Sequence, residues 1–216
     1  MANMEELIED IVPPVMKGIM DALGGSLPDP DLVSYYALEN DRKLYLDTDV
    51  DESLLEMQRM IMRWNIADIR SGKPREELKP IWIYIMSYGG DVDYMWALID
   101  TIQSSYTPIY TVNLGMAGSA AGLIFVSGEK RYMTKRSKVI IHEGSAQFQG
   151  DAIKVMDATE SYAKTLKDMK EFILSKTKIP RRKLMEKRSN DWSLDSAYCL
   201  EHGVCDVVVD SLKEII

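Results

Sequence analysis

Short apolar runs alternate along the chain with longer stretches in which apolar residues recur every three or four positions. The short runs predict buried strands, and the longer stretches predict amphipathic helices. Strands separated by helices imply parallel pairing with right-handed crossovers, so the predicted fold class is α/β. The predicted elements are a strand at 43–46, a helix at 52–65, an exposed charged loop at 68–79, a strand at 81–86, a helix at 91–104, a strand at 108–114 that leads into 115–127, strands around 132 and at 139–142, a helix at 151–176, a short helix after 180, a helix from about 193 and a strand at 204–209.

Residues 1–30 differ from the rest of the chain. Apolar positions at helical spacing are interrupted there by Pro13 and Pro14, and a segment rich in Gly, Pro and Asp follows at 24–31. Proline interrupts a helix, and clusters of glycine and proline form turns. We therefore predict an amphipathic N-terminal appendage with a linker over 1–30 and a single domain over 31–216.

Composition narrows the class of protein. The chain has 216 residues, 46% hydrophobic and 28% charged, which suits one compact domain with a sizeable core. The net charge of −8 argues against a nucleic-acid-binding surface, because such surfaces are usually basic. The N-terminus is acidic where a signal peptide would be basic, and no apolar run is long enough to cross a bilayer. Cys199 and Cys205 match neither a zinc site nor a redox pair, so we expect reduced thiols in a cytoplasmic protein with no membrane contact.

The chain has two histidines, and any mechanism that pairs serine with histidine must use one of them. His142 follows an apolar run and precedes Glu143 and Gly144, so it lies where a buried strand meets a loop, a common place for a catalytic side chain. His202 lies in a Glu-His-Gly sequence that is typical of a helix C-terminus, where an imidazole can interact with the last carbonyl groups.

The candidate nucleophile is Ser119, in the sequence Gly-Met-Ala-Gly-Ser-Ala-Ala-Gly between a strand and a helix. Backbone N–H groups at a helix N-terminus are suited to binding an oxyanion, although a serine there can also be a simple helix cap. A second turn with free donors is predicted at 87–91, where Gly89 and Gly90 permit positive φ. Neither turn matches a phosphate-binding glycine motif, so no nucleotide cofactor is expected.

Taken together, these motifs resemble the Clp protease proteolytic subunit family, whose fold is that of the crotonases, over about residues 38–212. The resemblance implies that Ser119 is the nucleophile and His142 the general base. It implies that Asp191, counted back from Gly203, is the acid, although Asp191 alone could be the N-cap of a following helix. It also implies oxyanion donors from the backbone N–H groups of Gly90 and Ala120. The motifs are Ser87-x-Gly89-Gly90, Gly115-x-Ala117-x-Ser119, Ile141-His142 and Asn190-Asp191.

The chain departs from the family pattern near the expected site. Tyr88, Ala120, Glu143 and Gly144 stand where the family usually has Pro, Met, Gln and Pro, so substrate specificity is expected to differ. Asn190 replaces an arginine that helps to couple two rings, which weakens the prediction of ring stacking.

The resemblance implies a serine endopeptidase subunit of a self-compartmentalising, ATP-dependent protease that acts on unfolded proteins and peptides and needs no cofactor. It implies a homo-oligomeric ring, which could form two stacked heptamers through the long handle helix at 151–176, and delivery of substrate by an ATP-driven AAA+ unfoldase. We expect the appendage at 1–30 to cover the pore of the ring. The alternatives are a crotonase-fold enzyme acting on acyl-coenzyme A, a non-catalytic ring scaffold, and a Ser-Lys peptidase that uses a lysine such as Lys130.

Overall fold

The computed structural model describes residues 38–144, 146–186 and 191–216. The chain divides into two compact units, residues 1–44 and residues 45–216. The predicted N-terminal appendage and its boundary with the main domain lie outside the described residues. No helix in the described part of the chain is long and apolar enough to cross a membrane.

The described chain alternates strands and helices, as the apolar pattern predicts. The strands are β1 (Lys43–Leu46), β2 (Ile81–Ser87), β3 (Ile109–Gly118), β4 (Lys130–Thr134), β5 (Lys138–Ile141), β6 (Trp192–Asp195) and β7 (Val207–Val209). The α-helices are α1 (Leu54–Ser71), α2 (Val92–Gln103), α3 (Ser119–Ser127), α4 (Ala152–Lys176), α5 (Arg181–Glu186) and α6 (Ser196–Glu201). Two short 3-10 helices lie at Arg75–Glu77 and Leu212–Glu214.

The strands form one sheet around β3, in the order β1-β2-β3-β4-β7. β3 is parallel to β2 along one edge, and its other edge pairs first with β4 and then with β5, again in parallel. β7 is parallel to β4. The predicted α/β class with parallel pairing is therefore confirmed, and β3 carries the sheet to the point where α3 begins.

β6 departs from the prediction. We expected a helix from about Ser193, but residues 192–195 form a strand that is antiparallel to β5, and the helix α6 begins at Ser196. The N-cap of α6 is Asp195, whose carboxylate accepts a hydrogen bond from the Tyr198 N–H at 2.8 Å. Pairing with β5 therefore overrides the local helix signal.

The core lies on both faces of the central strands. Ile81, Ile83 and Ile85 of β2 point to one face of the sheet and are fully buried, and Tyr84, which points to the other face, is buried as well. Every residue of α3 after Ser119 is buried, so this helix runs through the interior. Ser119, its first residue, lies at the edge of the core and is not buried.

The charged stretch at 68–79 is not the exposed loop that we expected. α1 continues through Ser71, and Asp68 is buried, where its carboxylate accepts a hydrogen bond from the Thr107 hydroxyl at 2.6 Å. The next residues form a 3-10 helix, and Arg75 there donates to the Tyr106 carbonyl at 2.9 Å and pairs with Glu129. The hydrogen bond from Thr107 offsets part of the cost of burying the Asp68 carboxylate.

The long helix α4 matches the prediction of a helix at 151–176. Asp151 caps it by accepting a hydrogen bond from the Lys154 N–H at 3.0 Å. Only Met169 and Ile173 of this helix are buried, and both lie in its C-terminal half. The N-terminal half therefore projects from the core of the subunit.

Candidate active site

Ser119 lies at the junction of β3 and α3, with a backbone φ of +51°. This left-handed conformation is costly for a residue with a Cβ atom and is often found at functional sites. The N-cap of α3 is Gly118, which has no side chain to bind the first N–H groups of the helix. The N–H groups of the first turn, including that of Ala120, have no partner within the helix and are available to an anionic group.

Small residues allow the turn at Gly89 and Gly90 to lie directly against Ser119. A Cβ atom on Gly89 would come within 2.7 Å of the Ser119 Cβ atom and 3.0 Å of the Ala120 nitrogen. A Cβ atom on Gly118 would come within 2.8 Å of the Tyr88 carbonyl oxygen. The structure therefore brings the two turns predicted to carry oxyanion donors into direct contact.

Backbone hydrogen bonds fix this turn from the other side. Val50 donates to the Gly89 carbonyl at 2.8 Å, and its own carbonyl accepts from the Asp91 N–H at 2.7 Å. Gly90 has a φ of +151° and approaches the Val50 backbone so closely that a Cβ atom would clash at 2.4 Å. Asp91 then caps α2 by accepting from the Asp93 N–H at 2.8 Å. The turn is held rigidly between β2 and α2.

The β5–β6 ladder brings His142 and Asp191 together. Ile141 pairs with Trp192, so His142, which follows Ile141, and Asp191, which precedes Trp192, are neighbours across the ladder. The Nδ1 atom of His142 and the Oδ1 atom of Asp191 are 3.8 Å apart. This distance is within the range of an ion pair but is too long for a direct hydrogen bond. Asp191 precedes a strand rather than a helix, so the N-cap alternative for this residue is wrong. Its side chain is 80% exposed, whereas the acid of the catalytic template is buried.

The Nδ1 atom of His142 has another partner in this structure. The Gly144 N–H donates to it at 3.2 Å, in a turn where Gly144 has a φ of +75°. The carbonyl oxygen of the intervening residue, Glu143, accepts a hydrogen bond from the Tyr162 hydroxyl of α4 at 3.1 Å. The turn that follows the histidine is therefore attached to the long helix.

Ser119 and His142 line one cleft. Its walls are mostly apolar and come from α3, α4 and α5, with Leu123, Met169 and Leu184 among the lining residues. Glu143 and Lys170 also line it, and their Oε1 and Nζ atoms are 2.6 Å apart. Lys170 belongs to the helix predicted at 151–176, and nothing in the sequence indicated that it would lie beside the histidine.

The comparisons with known proteins decide the family. A family model described as Clp protease matches residues 33–212, which is most of the chain. The chain belongs to the Clp protease family. Proteolytic subunit 2 of the ATP-dependent Clp protease of Treponema pallidum is 29% identical over 139 residues, or 63% of this chain and 70% of that protein. The corresponding subunit 2 of Treponema denticola is 31% identical over 143 residues, with the same coverage of 63% and 70%. The proteolytic subunit of Deinococcus radiodurans is 26% identical over 182 residues, or 83% and 86%.

Membership in the Clp protease family confirms the resemblance inferred from the motifs, together with the parallel α/β fold that it implied. It identifies the chain as a member of a family of serine peptidases. Ser119, His142 and Asp191 all lie in the described residues; Ser119 and His142 line one cleft, and Asp191 lies beside His142. Asn190, the residue that bears on ring stacking, lies outside the described residues.

Other candidate residues have structural roles in this Clp family chain. His202 ends α6, with its Nδ1 atom 3.1 Å from the Tyr198 carbonyl oxygen and its ring stacked on that tyrosine. A hydrogen bond with Tyr132 raises the pKa of Lys130, which is the opposite of what a lysine general base requires. Both cysteines are buried, and burial raises the pKa of the Cys199 thiol and raises that of Cys205 to about 11, so neither is a reactive thiolate at neutral pH.

Proposed function

We propose that the chain is a serine endopeptidase subunit in which Ser119 is the nucleophile, His142 the general base and Asp191 the acid that orients the histidine. The observation that supports this most strongly is the shared cleft of Ser119 and His142, with the strained serine at a helix N-terminus. The position of Asp191 beside His142 across the β5–β6 ladder supports the third role.

In this proposal the Ser119 hydroxyl attacks the carbonyl carbon of the scissile peptide bond while Nε2 of His142 takes its proton. The negative charge that develops on the carbonyl oxygen is stabilised by the N–H groups of Gly90 and Ala120, helped by the dipole of α3. His142 then passes the proton to the leaving amine, and water hydrolyses the acyl-enzyme by the same steps in reverse. The apolar walls of the cleft favour an apolar side chain next to the scissile bond.

The names of the relatives support a proposal for the substrate and partners. They are named as proteolytic subunits of ATP-dependent Clp proteases. We therefore propose that this chain forms a homo-oligomeric chamber in the cytoplasm, which cleaves unfolded polypeptides delivered by a separate ATP-driven unfoldase.

A serine-directed fluorophosphonate tests the proposal directly. The reagent should attach to the wild-type chain, and mass spectrometry of the digested product should locate it on Ser119. The labelling should be lost in Ser119→Ala and retained in Ser127→Ala, in which a buried serine of the same helix is changed. Labelling on another serine would disprove the assignment.

A further inference from the structure

His142 has two candidate partners for its Nδ1 atom, and in this structure the wrong one for catalysis is closer. The Gly144 N–H lies 3.2 Å from Nδ1, and the Asp191 carboxylate lies 3.8 Å away. Gly144 can only donate through its N–H, and Asp191 in its ionised form can only accept. The two partners therefore require opposite protonation of the same nitrogen.

The protonation of Nδ1 decides whether His142 can act as a base. A neutral imidazole carries one proton, and an Nδ1 that accepts from Gly144 leaves that proton on Nε2. A base that takes the serine proton through Nε2 must instead carry its own proton on Nδ1, where the acid holds it. The conformation with Gly144 on Nδ1 is thus a resting one.

Contacts with α4 hold the turn in this conformation. Lys170 pairs with the Glu143 carboxylate at 2.6 Å, and the side chains of the two residues are only 24% and 30% exposed. Tyr162, two turns earlier on α4, donates to the Glu143 carbonyl at 3.1 Å. A partly buried ion pair is stronger than one in open water, because the surroundings screen its charges less.

We propose that Glu143 and Lys170 are positioning residues whose ion pair fixes the 142–144 turn so that Gly144, rather than Asp191, occupies Nδ1 of His142. Loosening the pair lets the turn move, so that Nε2 can release its proton to water, Nδ1 can gain one from water, and the Asp191 carboxylate can accept a hydrogen bond from the new Nδ1–H, which gives the catalytic tautomer. The inference rests on the proposed role of His142, but the state of its ring can be measured without any turnover.

Nitrogen-15 magic-angle-spinning NMR of histidine-labelled protein measures that state. In a neutral imidazole, a bare ring nitrogen is separated in chemical shift from a protonated one, so the spectrum is recorded in alkaline buffer. His202 is an internal reference, because its Nδ1 faces the Tyr198 carbonyl oxygen and must be protonated to bond to it. The wild type should therefore show one ring of each tautomer. Two rings protonated on Nδ1 would overturn the proposal.

Variants of the turn should change the tautomer of His142 alone. Glu143→Gln removes the charge of the pair with little change of shape, and Gly144→Pro removes the donor because proline has no N–H. In either variant the His142 signal should move to the Nδ1-protonated form. An unchanged tautomer in Glu143→Gln would overturn the proposal even if Gly144→Pro fails to fold.

Kinetics with a short fluorogenic peptide provide the second test. Loss of a partly exposed ion pair should raise the population of the competent tautomer, so kcat of Glu143→Gln should rise about three- to tenfold with KM nearly unchanged. Glu171→Gln is the matched control, because it breaks the pair that Glu171 of α4 makes with Arg181 of α5 without touching the histidine turn, and its kcat should stay at the wild-type value. A fall in kcat of Glu143→Gln would contradict the proposal. Full activity of Ser119→Ala would instead disprove the peptidase assignment and leave the tautomer test standing.

Discussion

Ser119 shows how neighbouring residues maintain an unfavourable backbone conformation. Among the described residues, Arg42 is the only other non-glycine residue with a positive φ. The conformation costs on the order of 1 kcal/mol, which the packing of β3 and α3 must offset. The close approach of Gly89 and Tyr88 leaves no room for a larger neighbour at Gly118, so the turn is determined by its surroundings as much as by the serine.

Replacing Ser119 by alanine should abolish peptide hydrolysis and leave the fold intact. The substitution removes the nucleophilic oxygen and keeps the Cβ atom, so kcat/KM should fall by at least about 10⁴-fold while circular dichroism and thermal unfolding stay unchanged. Ser175→Ala, at an exposed serine of α4, should keep full activity. Turnover of Ser119→Ala at the wild-type rate would remove this residue from the mechanism.

Asp191 should matter for catalysis and not for stability. Asn in its place keeps the size but cannot hold the Nδ1 proton of His142 in the same way, so kcat should fall on the order of 10⁴-fold. The neighbouring Asp195 provides the contrast, because it caps α6. Asp195→Ala should lower the free energy of unfolding by about 1 kcal/mol and leave kcat unchanged. Comparable kcat values for Asp191→Asn and the wild type would exclude Asp191 as the acid.

Between elements, one ion pair joins two strands and the long helix. The Asp206 carboxylate accepts from the Arg131 side chain at 2.7 and 2.9 Å, and the same guanidinium donates to the Lys176 carbonyl at the end of α4 at 2.8 Å. Burial opposes ionisation of Asp206, but the hydrogen bonds and charge of Arg131 outweigh it, so the pKa of Asp206 lies below its ordinary value.

This pair should contribute to stability at neutral pH and lose its contribution in acid. The pKa of Asp206 is lower in the folded chain than in the unfolded one, so the stabilisation is complete above the unfolded value of about 3.9 and is lost as pH falls through the lower folded value. Asp206→Asn should lower the free energy of unfolding by about 2 kcal/mol at pH 7, measured with urea, and by less at pH 3. Asp210→Asn, which removes the exposed pair with Lys135, should have no measurable effect. A constant difference between Asp206→Asn and wild type across pH would contradict the assignment.

The alternation of strands and helices could be predicted because each buried strand is a compact apolar run and each helix repeats its apolar positions. The strand β6 could not be predicted, because the segment Trp192–Asp195 is short and becomes a strand only by pairing with β5. The burial of Asp68 could not be predicted for a similar reason, because its hydrogen-bond partner Thr107 is distant in sequence. The proposed triad could be inferred from a joint pattern of motifs. The ion pair of Glu143 with Lys170 could not be inferred, because no sequence pattern around either residue indicates that the two side chains meet.

For the whole molecule, α1 presents a second apolar face. The buried side of the helix packs on the core, while Met62, Ile66 and Ile69 are 59%, 47% and 61% exposed at helical spacing. An apolar stripe of this kind on a single subunit is typical of a surface that another subunit covers. The exposed Ile153 and Met156 on α4 form a separate apolar surface on the projecting half of that helix.

We expect the wild type to form rings whose mass in light scattering is a multiple of the 24.6 kDa subunit. Ile66→Glu should place a charge in the interface and shift the population towards monomers at micromolar concentration. Leu212→Glu makes the same chemical change at an exposed residue near the C-terminus and should leave the assembly intact. A wild type that stays monomeric would show that the stripe on α1 has another role.

The antiparallel pairing of β5 with β6 also determines when the proposed site can first exist. The paired residues Ile141 and Trp192 are separated by about fifty residues that include α4 and α5, so their ladder closes a long loop and forms slowly. A chain emerging from the ribosome contains Ser119 and His142 long before it contains Asp191. On the proposed roles, peptidase activity is therefore withheld from the nascent chain, and it arises only after Asp191 has been synthesised and β6 has paired with β5.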